Sequence, residues 1–156
     1  MNKRILPILI CILICFALFV SCDQVDSSSP IQYDDIYELA EKVGFKIVEP
    51  TYIPDGYALA GYFSMDKKIA EIVYADGEEK LIYAMTSIKK IESDFDEFDE
   101  TKDIEIDGLK AEVNLIGGKA HLGILYGKVY NYAFYSKLGL EEAVMKQLLE
   151  SIIIAN

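Results

Sequence analysis

The sequence predicts an α+β fold: an antiparallel sheet of about six strands, with one helix before it and one after it packed on one face. Three observations predict it. Strand-like segments follow one another from Tyr57 to Tyr135 with no helical stretch between them, so the crossover helices of a parallel sheet are missing. Apolar residues at spacings of three and four flank this region on both sides. Asp-Gly and Gly-Gly pairs recur between the strands, as hairpin returns require.

In chain order, Tyr33, Ile36, Leu39, Ala40 and Val43 line one face of a first helix over 33–43. Glu38 and Lys42 pair across a turn of it. Gly44 ends it in the left-handed conformation, and Phe45 is expected to pack back on Ala40. A short strand, Lys46–Val48, leads into Pro50-Thr-Tyr-Ile-Pro54-Asp-Gly-Tyr57, whose Pro-Asp-Gly is a turn signal. Strands then follow over Tyr57–Met65, Ile69–Ala75, Leu81–Ile88, Ile104–Ile106, Leu109–Leu115, Lys119–Tyr126 and Val129–Tyr135. Leu109, Ala111, Val113 and Leu115 alternate with Lys110, Glu112 and Asn114, the mark of a sheet with one wet face. The last helix carries a stripe of Leu140, Val144, Leu148 and Ile152, with Glu141 and Glu142 in its first turn.

The N-terminus is organised differently. A basic MNKR is followed by Ile5–Val20, which has no charge, contains Pro7, and falls short of the roughly 20 residues of a spanning helix. It reads as the apolar region of an export signal. Phe19-Val-Ser-Cys22 resembles the lipobox of bacterial lipoproteins, although Phe stands where Leu is usual. The resemblance implies cleavage before Cys22 and acylation of its thiol, so that the protein meets the lipid bilayer through that residue. The expected organisation is therefore 1–21 signal peptide, 22–31 lipidated cysteine and flexible tether, and 32–156 a single domain. The expected location is the extracytoplasmic face of the cell membrane. Two acyl chains hold well where one holds marginally.

Cleavage would also remove Cys11 and Cys15, which leaves one cysteine and no intramolecular disulfide. Without Lys3 and Arg4 there remain 13 basic side chains against 26 acidic, so the net charge moves from −11 to −13. That balance repels phosphate backbones, and no nucleic-acid partner is expected. His121 is the only histidine, which excludes a multi-histidine zinc site. Its neighbours Ala120 and Leu122 are expected on the strand face opposite to it. No G-x-S-x-G elbow occurs, and Gly117-Gly118-Lys119 lacks the rest of a phosphate loop.

Nine carboxylates crowd residues 92–107. Asp94-Phe-Asp96 starts like a calcium loop, with Asp94, Asp96 and Asp99 the candidate ligands, yet Phe98 stands where an oxygen ligand belongs and Asp99 where glycine does. A solvated loop is expected first and weak calcium binding second.

Val48-Glu-Pro-Thr-Tyr-Ile-Pro-Asp-Gly-Tyr57 resembles the opening of a domain of unknown function, DUF4367. Ile72-Val-Tyr74, Ile104–Ala111, Tyr130–Tyr135 and Ser151-Ile152 match later parts of its pattern, so the likeness covers roughly residues 46–154. The tryptophan frequent near 129–132 in that family is missing here. The resemblance implies a fold and an extracytoplasmic setting of the kind found in clostridial and bacillar lipoproteins. It implies no catalytic residues and no cofactor.

The expected function is accordingly a non-enzymatic module of the cell envelope that binds a protein, a peptide or a cell-wall component. Tyr57, Tyr74, Tyr83, Phe95, Phe98, Tyr130 and Tyr132 are the candidate contacts, on an open sheet face or in the acidic loop. The alternatives are an envelope hydrolase using paired carboxylates and a carrier with an apolar pocket.

Overall fold

The structure, a computed structural model, describes residues 29–66, 68–87 and 97–152. The segment expected to be an export signal, Cys22 and most of the expected tether lie outside the described residues, as do Asp94, Phe95 and Asp96. The elements in order are β1 (Ile31–Tyr33), α1 (Ile36–Val43), β2 (Ala58–Met65), β3 (Ile69–Asp76), β4 (Glu79–Thr86), β5 (Glu100–Ile106), β6 (Leu109–Ile116), β7 (Lys119–Tyr126), β8 (Asn131–Leu140) and α2 (Glu142–Glu150).

The strands form one antiparallel sheet in the order β1-β2-β3-β4-β8-β7-β6-β5. Two four-stranded meanders therefore meet in the middle, where β4 pairs with β8 from Leu81↔Ser136 to Thr86↔Asn131. Their tight turns follow from sequence. Asp107 and Gly108 (φ 50° and 78°) join β5 to β6, and Gly117 and Gly118 (φ 58° and 78°) join β6 to β7. Two successive positive φ angles make a turn whose twist suits a hairpin.

The expectation of about six strands is corrected to eight. Lys46–Val48 is extended without a ladder partner, whereas Ile31–Tyr33, placed partly in the tether by its polar surroundings, pairs with Tyr62–Ser64. Three residues show too little alternation to be read as a strand. The first helix starts at Ile36 because the Asp35 carboxylate accepts hydrogen bonds from the N–H groups of Tyr37 (2.8 Å) and Glu38 (2.9 Å). Such a side chain satisfies donors that the first turn leaves unpaired. Gly44 closes the helix at φ 78°, donating to the Ala40 carbonyl. Phe45 stacks on Tyr130 with ring centroids 5.0 Å apart.

Leu140 belongs to β8, not to the last helix. Gly139 (φ 75°) and a bond from its N–H to Ser136 Oγ (3.2 Å) let the strand resume after a break, and it pairs Leu140 with Ala120.

Residues directly opposite in a ladder share a face. One row reads Tyr62, Ile72, Tyr83, Phe134, Gly123, Val113, Lys102. The adjacent row, on the other face, reads Gly61, Val73, Ile82, Tyr135, Leu122, Asn114, Thr101. The first face carries the main core, in which Ile72, Tyr83 and Phe134 are wholly buried with Leu39 of α1 and Met145, Leu148 and Leu149 of α2. Helix α1 lies against β1, β2 and β3, and α2 against β6, β7 and β8. Gly123 sits beneath α2, where an added Cβ would come 2.6 Å from Met145 Sδ. A smaller cluster on the other face comprises Leu122, Ile124 and Ala133 with Phe98 and Tyr126 against it.

Candidate interaction surface

The tyrosines singled out from sequence go mostly inward. Tyr83 and Tyr132 are buried in the main core, and Tyr74 nearly so. Tyr83 donates its hydroxyl hydrogen to the Val48 carbonyl at 2.5 Å and packs against Phe134 with centroids 5.1 Å apart. Burial raises the Tyr83 pKa far above the ordinary range and that of Tyr74 to about 12, with Glu49 adding to both. These rings fill the interior and hold the chain before the Pro-Asp-Gly turn. Tyr130 is half-buried over Phe45.

Tyr57 is half-buried at the start of β2. Burial raises its pKa most, and Glu79 and Asp76 raise it further. No hydrogen bond of normal geometry reaches its buried hydroxyl. The turn before it closes through Tyr57 N–H to the Pro54 carbonyl at 3.3 Å, with Gly56 at φ 93°. A Cβ at Gly56 would stand 2.6 Å from Asp76 Oδ2, so the position requires glycine on two counts.

Of the three carboxylates named for calcium, Asp99 lies among the described residues and has a structural task. Its Oδ2 accepts from Gly117 N–H at 2.6 Å, and its own N–H donates to the Leu115 carbonyl at 2.9 Å. Phe98 lies half-buried on Leu122, Ile124 and Ala133. Among the described residues no group of three or more His, Cys, Asp or Glu side chains is arranged to hold a metal ion. Ala120 and Leu122 do not share a face as expected: Ala120 joins the main core and Leu122 the second cluster. The reason is a bulge at His121, where both ladders of β7 shift register.

What the sequence did not expose is the difference between the two edges of the sheet. At one edge, β5 reads ETKDIEI, and three of its four charged side chains are in ion pairs. Lys102 pairs with Glu142 at 2.6 Å and reaches Glu100 at 4.0 Å, while Lys110 pairs with Asp103 at 3.2 Å and Glu112 at 2.8 Å. Tyr126 donates to Glu112 at 2.8 Å beneath the Lys110 ammonium. Charged side chains of this kind blunt an edge against further pairing.

The other edge is uncharged. β1 reads IQY and covers only Tyr62–Ser64 of the eight-residue β2. Beyond it Ala58, Leu59 and Ala60 are exposed, Leu59 at 52% and the neighbouring Ile31 at 46%. Among the described residues no strand lies outside Ala58–Gly61. Next to this edge, Tyr33 joins Glu38, Glu41 and Lys42 of α1 in lining an open cleft of about 450 Å³.

No helix among the described residues is long and apolar enough to cross a membrane. No curated protein and no solved structure is significantly similar to the chain. The profile of a domain of unknown function, DUF4367, matches residues 47–152, from the buried Ile47 before the Pro-Asp-Gly turn to the buried Ile152 behind α2. The chain belongs to the DUF4367 family.

Proposed function

We propose that this protein is a lipid-anchored, extracytoplasmic binding module without catalytic activity, which docks a protein or peptide of the cell envelope along its β1–β2 edge. One observation carries the docking reading: among the described residues no strand pairs with the outer edge of Ala58–Gly61 and none of its side chains is charged, in a sheet whose opposite edge carries paired charges. An exposed apolar edge is a liability unless something pairs with it.

The arrangement of the core supports the same reading. In our view both helices cover the face that carries Tyr83 and Phe134, because Leu39 and Met145 share one buried cluster with those rings. The sheet is then a rigid platform for the edge. The anchoring rests on the apolar run ending at Phe19-Val-Ser-Cys22. From there, eight residues of tether would reach roughly 25 Å when extended.

A photo-crosslinking residue introduced at Leu59, with a control at Thr101 on β5, tests the docking in the membranes of cells that make the protein. A discrete adduct from position 59 and none from 101 is expected; equal labelling from both sinks the assignment. Mass spectrometry of the mature N-terminus tests the anchor, and an unmodified Cys22 still joined to Ser21 sinks that part alone.

A further inference from the structure

We infer that the end of the sheet carrying the β2–β3 and β7–β8 turns rests on the bilayer that holds the lipid anchor, with Val129 among the headgroups and Lys68 and Lys128 against anionic lipid phosphates. This rests on the anchor reading above and adds which end of the molecule meets the lipid.

The ladder register defines that end. Ile31 lies opposite Ser64, which lies opposite Ala70, and the row continues through Met85, Tyr132 and Leu125. β1 runs inward from this row, so the chain arrives at Ile31 from the side of the turn that joins Met65 to Ile69. The turn from Tyr126 to Asn131 projects at the same end. Whatever ties Cys22 to a membrane therefore brings this end to the lipid first.

The two turns stand close together. Lys68 N–H donates to the Met65 carbonyl at 3.1 Å, and the Lys68 carbonyl accepts from the Thr86 hydroxyl at 3.2 Å. Thr86 is opposite Asn131, where β8 begins after the second turn. That turn is closed by Gly127 N–H to the Tyr130 carbonyl at 3.0 Å. Only the end of β4 lies between them.

Both turns present side chains that suit a headgroup layer. Val129 is apolar, exposed and outside both core clusters. Lys68 and Lys128 are exposed, and among the described residues neither is in an ion pair, whereas Lys102, Lys110, Lys119 and Lys146 all are. Exposed Lys46 follows Phe45, whose ring stacks on Tyr130 at this end. Against them stand Asp66 and Asp107 of the turns, while Glu105 faces Lys110 across β5 and β6.

The opposite end is acidic. The Pro54-Asp-Gly turn lies against β3, since a Cβ at Gly56 would meet Asp76 Oδ2 at 2.6 Å, and Asp76 is opposite Glu79. Asp55, Asp76, Glu78 and Glu79 gather there with Lys80 as the neighbouring lysine. An anionic surface repels a chain of net charge −11 as a whole. Once a tether holds it there, the charge distribution decides its orientation. Screening confines the field to about 8–10 Å of the surface, so the acidic end turns outward and the lysine-bearing end inward. The strands then stand away from the bilayer, with the β1–β2 edge open at the side.

The test uses the full acylated chain in vesicles containing a minor lipid with a nitroxide on its headgroup. With Cys22 acylated and Cys11 and Cys15 removed with the signal, Val129→Cys or Leu138→Cys supplies one free thiol for a fluorescent label. The two positions are alike in exposure, at 69% and 66%. They sit toward opposite ends of β8, roughly 25 Å apart. In vesicles of phosphatidylcholine with phosphatidylglycerol, the label at 129 is expected to be quenched at least about threefold more strongly than the label at 138. Lys68→Glu combined with Lys128→Glu should bring that ratio down toward one, with amide exchange in β4 and β8 unaltered. Vesicles of phosphatidylcholine alone should do the same.

Equal quenching at the two positions, or stronger quenching at 138, overturns the inference. A ratio that survives both the charge reversal and the neutral lipid overturns the contact with anionic headgroups, because the tether alone would produce it. A chain that fails to float with vesicles of either kind removes the anchor and this inference together. One that floats and shows no difference between the labels removes the orientation and leaves the anchor standing.

Discussion

The first meander, β1 to β4, and the second, β5 to β8, are built from the same parts and finish differently at their outer edges. Each is a run of antiparallel strands with a helix against it, and each contributes one strand to the central β4–β8 ladder. The second ends in a full-length strand whose one lysine, Lys102, pairs with Glu142, while Lys110 of the neighbouring β6 pairs with Asp103. The first ends in a three-residue strand, and among the described residues no strand pairs with Ala58–Gly61 of β2 beyond it. This asymmetry among the described residues is why we propose the first edge, rather than the second, as the docking site.

The largest test of this comparison concerns what the two halves share. Leu39 of α1 and Leu148 of α2 are both wholly buried in one cluster. Leu39→Ala and Leu148→Ala should each cost about 2–5 kcal/mol, measured by denaturant unfolding. Each should shift a single transition. Two separate transitions would break the picture of one core spanning both meanders.

Glycines sharpen the contrast. Gly56→Ala in the first half meets both the positive φ and the Asp76 carboxylate, and Gly123→Ala in the second meets Met145. Each should destabilise by about 1–3 kcal/mol, the first through backbone strain and the second through overpacking. Met145→Ala in the Gly123→Ala background should recover part of the loss, and no partner change should do so for Gly56.

The helix starts differ as well. Asp35 caps α1 with two hydrogen bonds, whereas Glu141 makes no side-chain cap bond to α2 and instead pairs with Lys119. Asp35→Ala should cost about 1 kcal/mol, and Glu141→Ala no more than a few tenths. Equal costs in thermal melts would contradict the geometry.

The smallest effect appears only at high pH. Tyr74 in the first half and Tyr126 in the second are both held near pKa about 12, chiefly by burial. A folded-state pKa above the unfolded value favours the protonated form. This contribution is complete below pH about 10 and is lost as pH rises toward 12. Tyrosinate absorbance should therefore lag behind that of free tyrosine, and Tyr74→Phe should remove part of the alkaline loss of stability.

Much of the fold was legible in local patterns. Six of the seven longer strands were legible over most of their length, and of β5 only Ile104–Ile106 was, its charged first four residues being set by pairing with β6. The six were legible because side-chain period and turn conformation are properties of a few neighbouring residues. Gly44 and the Pro54-Asp-Gly turn were readable for the same reason. The family resemblance seen around residues 48–57 holds for 47–152. The short β1 was not readable, since its strand character comes from Tyr62–Ser64 thirty residues away. Nor was the end of β8, where Leu140 fits a helical stripe by spacing and is claimed by its pairing with Ala120.

The candidate site was the least legible part. Tyr83 and Tyr132 are as aromatic as any surface contact residue, and only the ladder shows them facing the core. Ala58-Leu-Ala-Gly61 looks like an unremarkable stretch of strand, and what distinguishes it is the absence of a neighbour. By itself the sequence determined the alternating strands, the tight turns, the glycine cap of the first helix and the excess of negative charge, none of which needs a contact between distant residues. Tertiary structure alone decided strand order, which tyrosines are interior, and which edge stays bare. Those depend on which distant segments pair, and hydrogen bonds between strands carry no mark in the sequence of either one.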